Sequence, residues 1–576
     1  PPLPLHAQEA PPLPLNAQQA APLPLHAQEA PPLPLHAQEA PPLPLHAREA
    51  PPLPLHAQEA PPPADEAAAP SASDEDLLDE EEAGEEIVVT GQRLRGAVVG
   101  DIPPEVQLDA RDIRAYGAGS LAELMTALEP QTRSGAGRGG GRPVILLNGR
   151  RISGFSEIRD LPPEAVERVD ILPEEVALKY GYRADQRVVN FVLRPRFRAV
   201  TAEAAAGMAT EGGRGSYEAD LNVLRIMNNG RWNLDAEVRR DSALFESERD
   251  LIQAQATAGG GADGTDLGRF RTLLPQTDRL SLAGTVNRTI LNDVSATLNA
   301  RFDQTSSESR FGLPAAAFAL PTSAGDGIRP LTRESDSRAT HLGLSMNGDI
   351  SPWRWSLTAN YDRSNNRTLS DTNADPAEAQ AGMLYGARER SSAISQSADA
   401  ELVAHGSLIT LPAGDISTSV KVGLDTRSLH SESNRGGTDQ VRDLSRNRAN
   451  GQVNIDVPLA SRRNEVLSAI GNLSLNANAA VEHLSDFGTL RVLGGGINWS
   501  PIEGVRVLAS LSDEDGAPTI QQLGDPVVLV PNVRVFDFTR GQTVDISRIE
   551  GGNPDLSADN RRVFKISANV KPWEER

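Results

Sequence analysis

Apolar and polar residues alternate one for one along much of the later part of this 576-residue chain. "SYEADLNV" sends Tyr217, Ala219, Leu221 and Val223 to one face and Glu218, Asp220 and Asn222 to the other. "RWNLDAEVR" repeats the pattern with Trp232, Leu234, Ala236 and Val238 against Asn233, Asp235 and Glu237. So do "DVSATLNARFD", through Val294, Leu298 and Phe302, and "WRWSLTANYD", through Trp353, Trp355, Leu357 and Tyr361. A period of two is that of a strand. Charge at alternate positions on strand after strand argues against a soluble sandwich, whose inner face excludes it. It is what a wall with lipid outside and water inside requires. Residues 199–576 therefore predict an antiparallel transmembrane β-barrel of about fourteen strands, each of the usual ~9–11 residues.

The connections fall into two kinds. Tight turns ("NNG", "ILND", "DISP", "LPAGD", "SRRN", "SPIEG") alternate with long polar loops near 242–277, 304–339, 364–395, 427–449 and 514–560. The one short connection on the long-loop side is "EHLSDFG" at 482–488. One rim of the barrel is expected to be trimmed and the other elaborated.

Residues 94–198 follow a different pattern, with short helices between short strands. "SLAELMTALEP" offers Ser120 as N-cap and Glu123 as its capping-box partner, with Leu121, Leu124, Met125 and Leu128 as the apolar face. Val144 to Leu147 form a buried strand, and Asn148-Gly149 after it is a strong hairpin signal. "LPPEAVERVDIL" places Pro162 and Pro163 in a first helical turn ahead of a strand through Val169 and Ile171. "PEEVALKYG" is a helical turn closing at Gly181, and "RVVNFVLR" is a last strand.

Charge and composition change the picture mainly at the front. Residues 61–86 hold eleven Asp and Glu and no Lys or Arg, half of the net charge of −22. Residues 1–60 are six decapeptides of the form "PPLPLHAQEA". Proline at alternate positions blocks helix and ladder alike, so polyproline II spacers joined by "HAQEA" are expected. The recurring His6, His26, His36, His46 and His56 could hold a metal weakly, but repeat expansion accounts for them better. Self-repulsion extends the disorder through residue 86. Directly after it stand Ile87, Val88, Val89, Thr90 and Gly91, strand formers with no neighbouring strand to pair with. Hydrophobic content is 39%, with no run of the ~18 apolar residues that a membrane helix needs. Aromatics are 4%, so interfacial girdles must be thin. Cysteine is absent, which removes disulfides, zinc–thiolate sites and cysteine nucleophiles.

Taken in order, Asn148-Gly149, Glu167-Arg168-Val169-Asp170, Tyr180-Gly181 and Asn190 resemble the plug domain of TonB-dependent outer-membrane receptors. "EGGNPDLSADN" at 550–560 is similar to a stretch of their barrels. Departures are the trimmed Gly/Arg stretch "RSGAGRGGGRP", Gln186-Arg187 where a glycine pair is usual, and Leu172-Pro173-Glu174 in place of a Gly-containing turn. The resemblance implies a plug and barrel in the bacterial outer membrane, with no cofactor, contacting membrane lipid. Residues 87–93 would hold the box that the energy-coupling protein TonB captures in the periplasm by β-augmentation. The implied function is uptake of a scarce ligand, a siderophore, cobalamin or glycan, bound at the outer loops and the plug. A barrel that has lost transport and serves as a surface-binding or structural protein is the second reading, and a secreted β-rich adhesin folded as a sandwich the third. Receptors of this kind have about 22 strands. The chain has no initiator Met or signal peptide, and its last alternating stretch runs into "KPWEER". An open sheet lacking about eight strands is therefore expected, with end strands near 200–209 and 562–571 and a plug partly enclosed.

Other chemistries are excluded by spacing. "GFSEI" lacks a nucleophile elbow, no Walker loop exists, and His405 and His430 belong to no metal triad. "SDEDGAPTIQQL" starts like a calcium loop but lacks its closing carboxylate. The Gly/Arg stretch has no basic surroundings, which argues against nucleic acid. No enzyme activity and no metal site are expected.

Overall fold

The computed structural model describes residues 95–98, 104–133, 142–182, 186–251, 267–291, 293–319 and 328–570. The decapeptide repeats, the acidic stretch, residues 87–91 and most of the Gly/Arg stretch lie outside them. The fold is mainly β, a small α/β domain followed by one large antiparallel sheet.

The small domain runs β1 (Val106–Asp109), α1 (Ala110–Ala115), α2 (Leu121–Ala127), α3 (Glu129–Thr132), β2 (Val144–Leu147), β3 (Arg150–Arg151), β4 (Val166–Leu172), α4 (Glu175–Lys179) and β5 (Val188–Leu193). Its sheet has the order β1-β4-β5-β2-β3, with β2 and β5 parallel and the other pairs antiparallel. Side chains alternate across β5, so its two faces pack on different clusters. Val189, Phe191 and Leu193 join Leu121 and Leu124 of α2 and its C-cap residue Leu128 on one side. Val188 joins Val176, Ala177 and Tyr180 on the other. Ser120 caps α2 as expected, its Oγ accepting from Glu123 N at 3.3 Å. The expected capping box is only half made: the Glu123 carboxylate accepts from Gly119 N instead. Sequence reading missed β1 and α1, where Asp109 and Asp112 form a complete box.

The large sheet has fourteen strands. They are β6 (Phe197–Met208), β7 (Gly215–Met227), β8 (Gly230–Asp241), then, after the short pair β9 (Leu244–Phe245) and β10 (Thr272–Leu274), β11 (Gln276–Ile290), β12 (Val294–Arg310), β13 (Thr332–Ile350) and β14 (Trp353–Ser370). Beyond helix α5 (Pro376–Gln380) come β15 (Glu389–Leu411), β16 (Gly414–Arg435), β17 (Thr438–Ala460), β18 (Asn472–Leu484), β19 (Gly488–Ser500) and β20 (Val505–Gly516). Helix α6 (Ile520–Gly524) and the hairpin β21 (Val528–Asp537) and β22 (Gln542–Glu550) precede the last strand, β23 (Asp559–Val570). Strands pair in chain order, and β23 pairs β20. The row is open: among the described residues β6 bonds only β7, and β23 only β20.

Alternation sorts the side chains as the pattern requires. Leu234, Val238, Leu298, Val422 and Leu424 are exposed on one face, while Asn233, Thr297, Asn299, Ser345 and Asn454 are buried on the other. This inverts the packing of a water-soluble sheet, so the outer face is suited to lipid and the inner to polar groups. There is one sheet wrapped on a small domain, not two sheets face to face, which overturns the sandwich alternative. Among the described residues no helix is long and apolar enough to cross a membrane. Leu234→Arg, on the outer face of mid-β8, is expected to destabilise the assembled sheet by about 2–4 kcal/mol. A urea titration in lipid vesicles that leaves its midpoint unchanged would contradict that placement.

Three expectations need correction. Strands are 12 to 23 residues long, not 9–11. Residues 427–449 are no loop: β16 and β17 continue to a two-residue turn at Gly436-Gly437, both at positive φ, as that turn demands. The polar residues there read as loop because a strand rising beyond the apolar band is wetted on both faces. The third is "SRRN", which opens an eleven-residue connection, 461–471, and not a tight turn.

Candidate functional site: a latched plug inside a polar wall

Asn148 and Gly149 lie at φ 51° and 70°, the left-handed pair of the β2–β3 turn. The rest of the predicted motif converges on this turn. Asn190 Oδ1 accepts from Gly149 N at 2.8 Å, and Tyr180 Oη donates to Gly149 O at 2.8 Å. Asn148 Oδ1 accepts from Leu193 N at 2.9 Å. Asn190 is wholly buried, and its Nδ2 donates to Asp170 Oδ2 at 3.1 Å and to Gly96 O at 2.9 Å. Arg168 is turned by Asp170, 3.2 Å from its Nε, and donates from Nη2 to Arg95 O at 2.9 Å. Glu167 pairs with the Arg95 guanidinium at 2.6 Å, and the same guanidinium donates to Leu193 O. Val169 is buried in the core together with Val166 of the same strand.

The motif is therefore a polar latch, and what it holds is the short segment Arg95–Ala97. Gly149 is required for close approach as well as for its positive φ: a Cβ there would run into the Ala97 carbonyl oxygen. Gly149→Ala is expected to destabilise the domain by about 1–3 kcal/mol, since a side chain at positive φ costs that much before the clash is counted. Faster amide exchange at residues 95–98 would register it. Gly181, also at positive φ, lets α4 meet the wall: a Cβ would lie 2.9 Å from Val403 Cγ2.

Around the latch the domain is tied to the sheet by polar contacts. Glu157 Oε1 meets Arg231 Nη2 of β8 at 3.2 Å, with both side chains under 5% exposed. Burial pushes the Glu157 carboxyl above its usual range, against the pull of Arg231. Asp160 pairs with Arg301 of β12 at 2.7 Å, and its backbone oxygen accepts from Asn222 of β7 at 2.7 Å. Arg151 reaches Glu401 of β15 at 2.8 Å while stacking on Tyr182. Ser153 Oγ accepts from Asn299 of β12 at 2.6 Å. Lys565 of β23 donates to Glu174 at 2.7 Å; burial pushes that carboxyl up, but the lysine, a backbone hydrogen bond and Arg187 together hold it below its usual range. A domain this small bonds to β7 near one end of the row and to β23 at the other. The sheet must therefore curve around it.

None of Arg151, Glu157, Asp160 or Glu174 was singled out from sequence as a contact of the wall. The available signal was a run of polar residues at inward positions of the facing strands, such as Asn233, Thr297, Asn299 and Ser345, broken by apolar ones at Leu224, Ile226 and Val403. Among the described residues one set of carboxylates, Glu218, Asp220 and Glu237, lies close enough to share an ion, with the Arg239 guanidinium 3.3 Å from Glu218.

No protein-family model matches this chain, and no curated protein does. Among solved structures it is similar to the siderophore receptor PirA from Pseudomonas aeruginosa, at 15% identity and a TM-score of 0.48 over 82% of this chain and 72% of that one. PirA from Acinetobacter baumannii gives 14%, 0.48, 81% and 68%. A variant of the ferric enterobactin receptor PfeA from Pseudomonas aeruginosa gives 12%, 0.48, 83% and 71%. In its plug motifs the chain resembles TonB-dependent receptors, and these three solved structures are of the siderophore receptor PirA and the ferric enterobactin receptor PfeA.

Proposed function

We propose that this chain is part of a TonB-dependent receptor of the bacterial outer membrane that takes up a scarce small ligand of the siderophore, cobalamin or glycan class. The observation that carries the reading is the latch: Arg95–Ala97 is fastened through Asn190, Arg168 and Glu167 to the turn at the centre of the plug. Ile87, Val88, Val89, Thr90 and Gly91 lie four residues upstream, outside the described residues. A pull on that segment would act first on Gly96 and through it on the β2–β3 hairpin. In this reading the ligand enters from the long-loop rim, and the chemistry is non-covalent. The test is accumulation of labelled candidate ligands by cells with and without TonB. Uptake of one of them only when TonB is present supports the proposal, and equal accumulation in both strains sinks it.

The second reading, a barrel retained for surface binding without transport, is favoured by the number of ion pairs that hold the plug. Glu157, Asp160, Arg151 and Glu174 each pair with a different strand. Ligand that binds cells but never enters them would select it.

A further inference from the structure

Between the β2–β3 hairpin and the tight-turn ends of β7, β8 and β11–β13 lies a cavity of about 650 Å³. Five arginines line it: Arg95, Arg150, Arg151, Arg194 and Arg231. Only three carboxylates face them. Glu157 is taken by Arg231, and Asp349 is shared between Arg150 at 3.4 Å and Arg354 at 3.3 Å. Asp293 sits on the β11–β12 turn at the cavity mouth.

The arginine donors are not used up. Arg231 is 4% exposed and meets Glu157 through Nη2, yet its buried Nε and Nη1 have no hydrogen-bond partner. Arg151, equally buried, spends Nη2 on Glu401 and Nε on Tyr182 and leaves Nη1 without a partner. Arg194 has a buried Nε in the same condition and no ion pair among the described residues. Guanidinium N–H groups withdrawn from water and left unbonded are costly, and oxyanions are the acceptors that suit them best. The volume is within the range of small-molecule sites and is larger than a bare inorganic ion needs.

We propose that this cavity binds an oxyanion, the phosphate or carboxylate group of a small molecule, received by Arg231 and Arg151 with Arg194 as a third cation. The site lies at the tight-turn rim, opposite the loops where cargo is expected to enter. It does not depend on the uptake reading, because binding to purified protein involves no energy coupling.

The experiment is calorimetric titration of the purified full chain in detergent with inorganic phosphate and, separately, citrate, at ionic strength held constant with chloride. Saturable binding of either probe is expected. Arg194→Gln, which breaks no ion pair, and the paired change Glu157→Gln with Arg231→Gln, which removes both buried charges together, should each bind about tenfold more weakly. A response to phosphate alone assigns a phosphoryl group, and one to citrate alone a carboxylate. Non-saturable heats with both probes overturn the proposal, as does binding of equal strength in wild type and Arg194→Gln. Should the paired variant fail to fold, Arg194→Gln alone decides.

Discussion

Proline in place of Val88 is expected to abolish cross-linking to TonB and to reduce energised uptake to the level of cells without TonB. The assembled sheet should be unaffected. Capture of a strand by a sheet edge runs through backbone hydrogen bonds, and proline removes one donor and fixes φ at the centre of the segment. Val88 lies upstream of the latch, and the substitution leaves the latch residues themselves unchanged. A mutant that cross-links as well as wild type would remove residues 87–91 from the mechanism. One that fails to assemble would show that the segment belongs to the folded plug.

Glu157→Ala is expected to lower the stability of the plug in the sheet by about 3–5 kcal/mol, because it leaves the Arg231 guanidinium buried without its counter-charge. The 3.2 Å pair joins residues 74 positions apart, and both side chains are nearly inaccessible. Glu157 also accepts from Ser153 N and Ser153 Oγ, each at 3.3 Å, and from Ser345 Oγ at 3.4 Å, so three further donors lose their acceptor. Removing both charges together, by Glu157→Gln with Arg231→Gln, should cost less than the single change. Urea unfolding followed by tryptophan fluorescence, of Glu157→Ala and of the four proteins of the Glu157→Gln and Arg231→Gln cycle, measures this. An unchanged midpoint in Glu157→Ala would mean that the pair does not hold the plug.

The sequence by itself determined the local geometry. A period-two alternation sets which face of each strand meets lipid, because successive side chains leave a strand on opposite sides. Leu234 and Asn233 were therefore assigned correctly with no knowledge of their neighbours. Asn148-Gly149 specified its turn because few residue pairs tolerate two positive φ angles in succession. Strand ends were less visible: β16 and β17 outrun the apolar band, where neither face needs a hydrophobic residue, and the pattern that announces a strand disappears while its ladder continues.

What only the tertiary structure decided is who meets whom. Glu174 and Lys565 are 391 positions apart, and Arg151 and Glu401 are 250. Each contact depends on the register of every strand between, on the curvature of the sheet and on the seating of the plug. A one-residue slip of register in β23 or β15 would turn Lys565 or Glu401 to lipid. Asn190 stands out in the sequence only as one residue of the motif that resembles a plug domain. Its role appears only when the turn at Gly149, the Asp170 carboxylate and the Gly96 carbonyl are brought within hydrogen-bond reach of one amide. A buried polar side chain must find partners or pay the cost of desolvation, and those partners are supplied by three segments that local pattern cannot bring together.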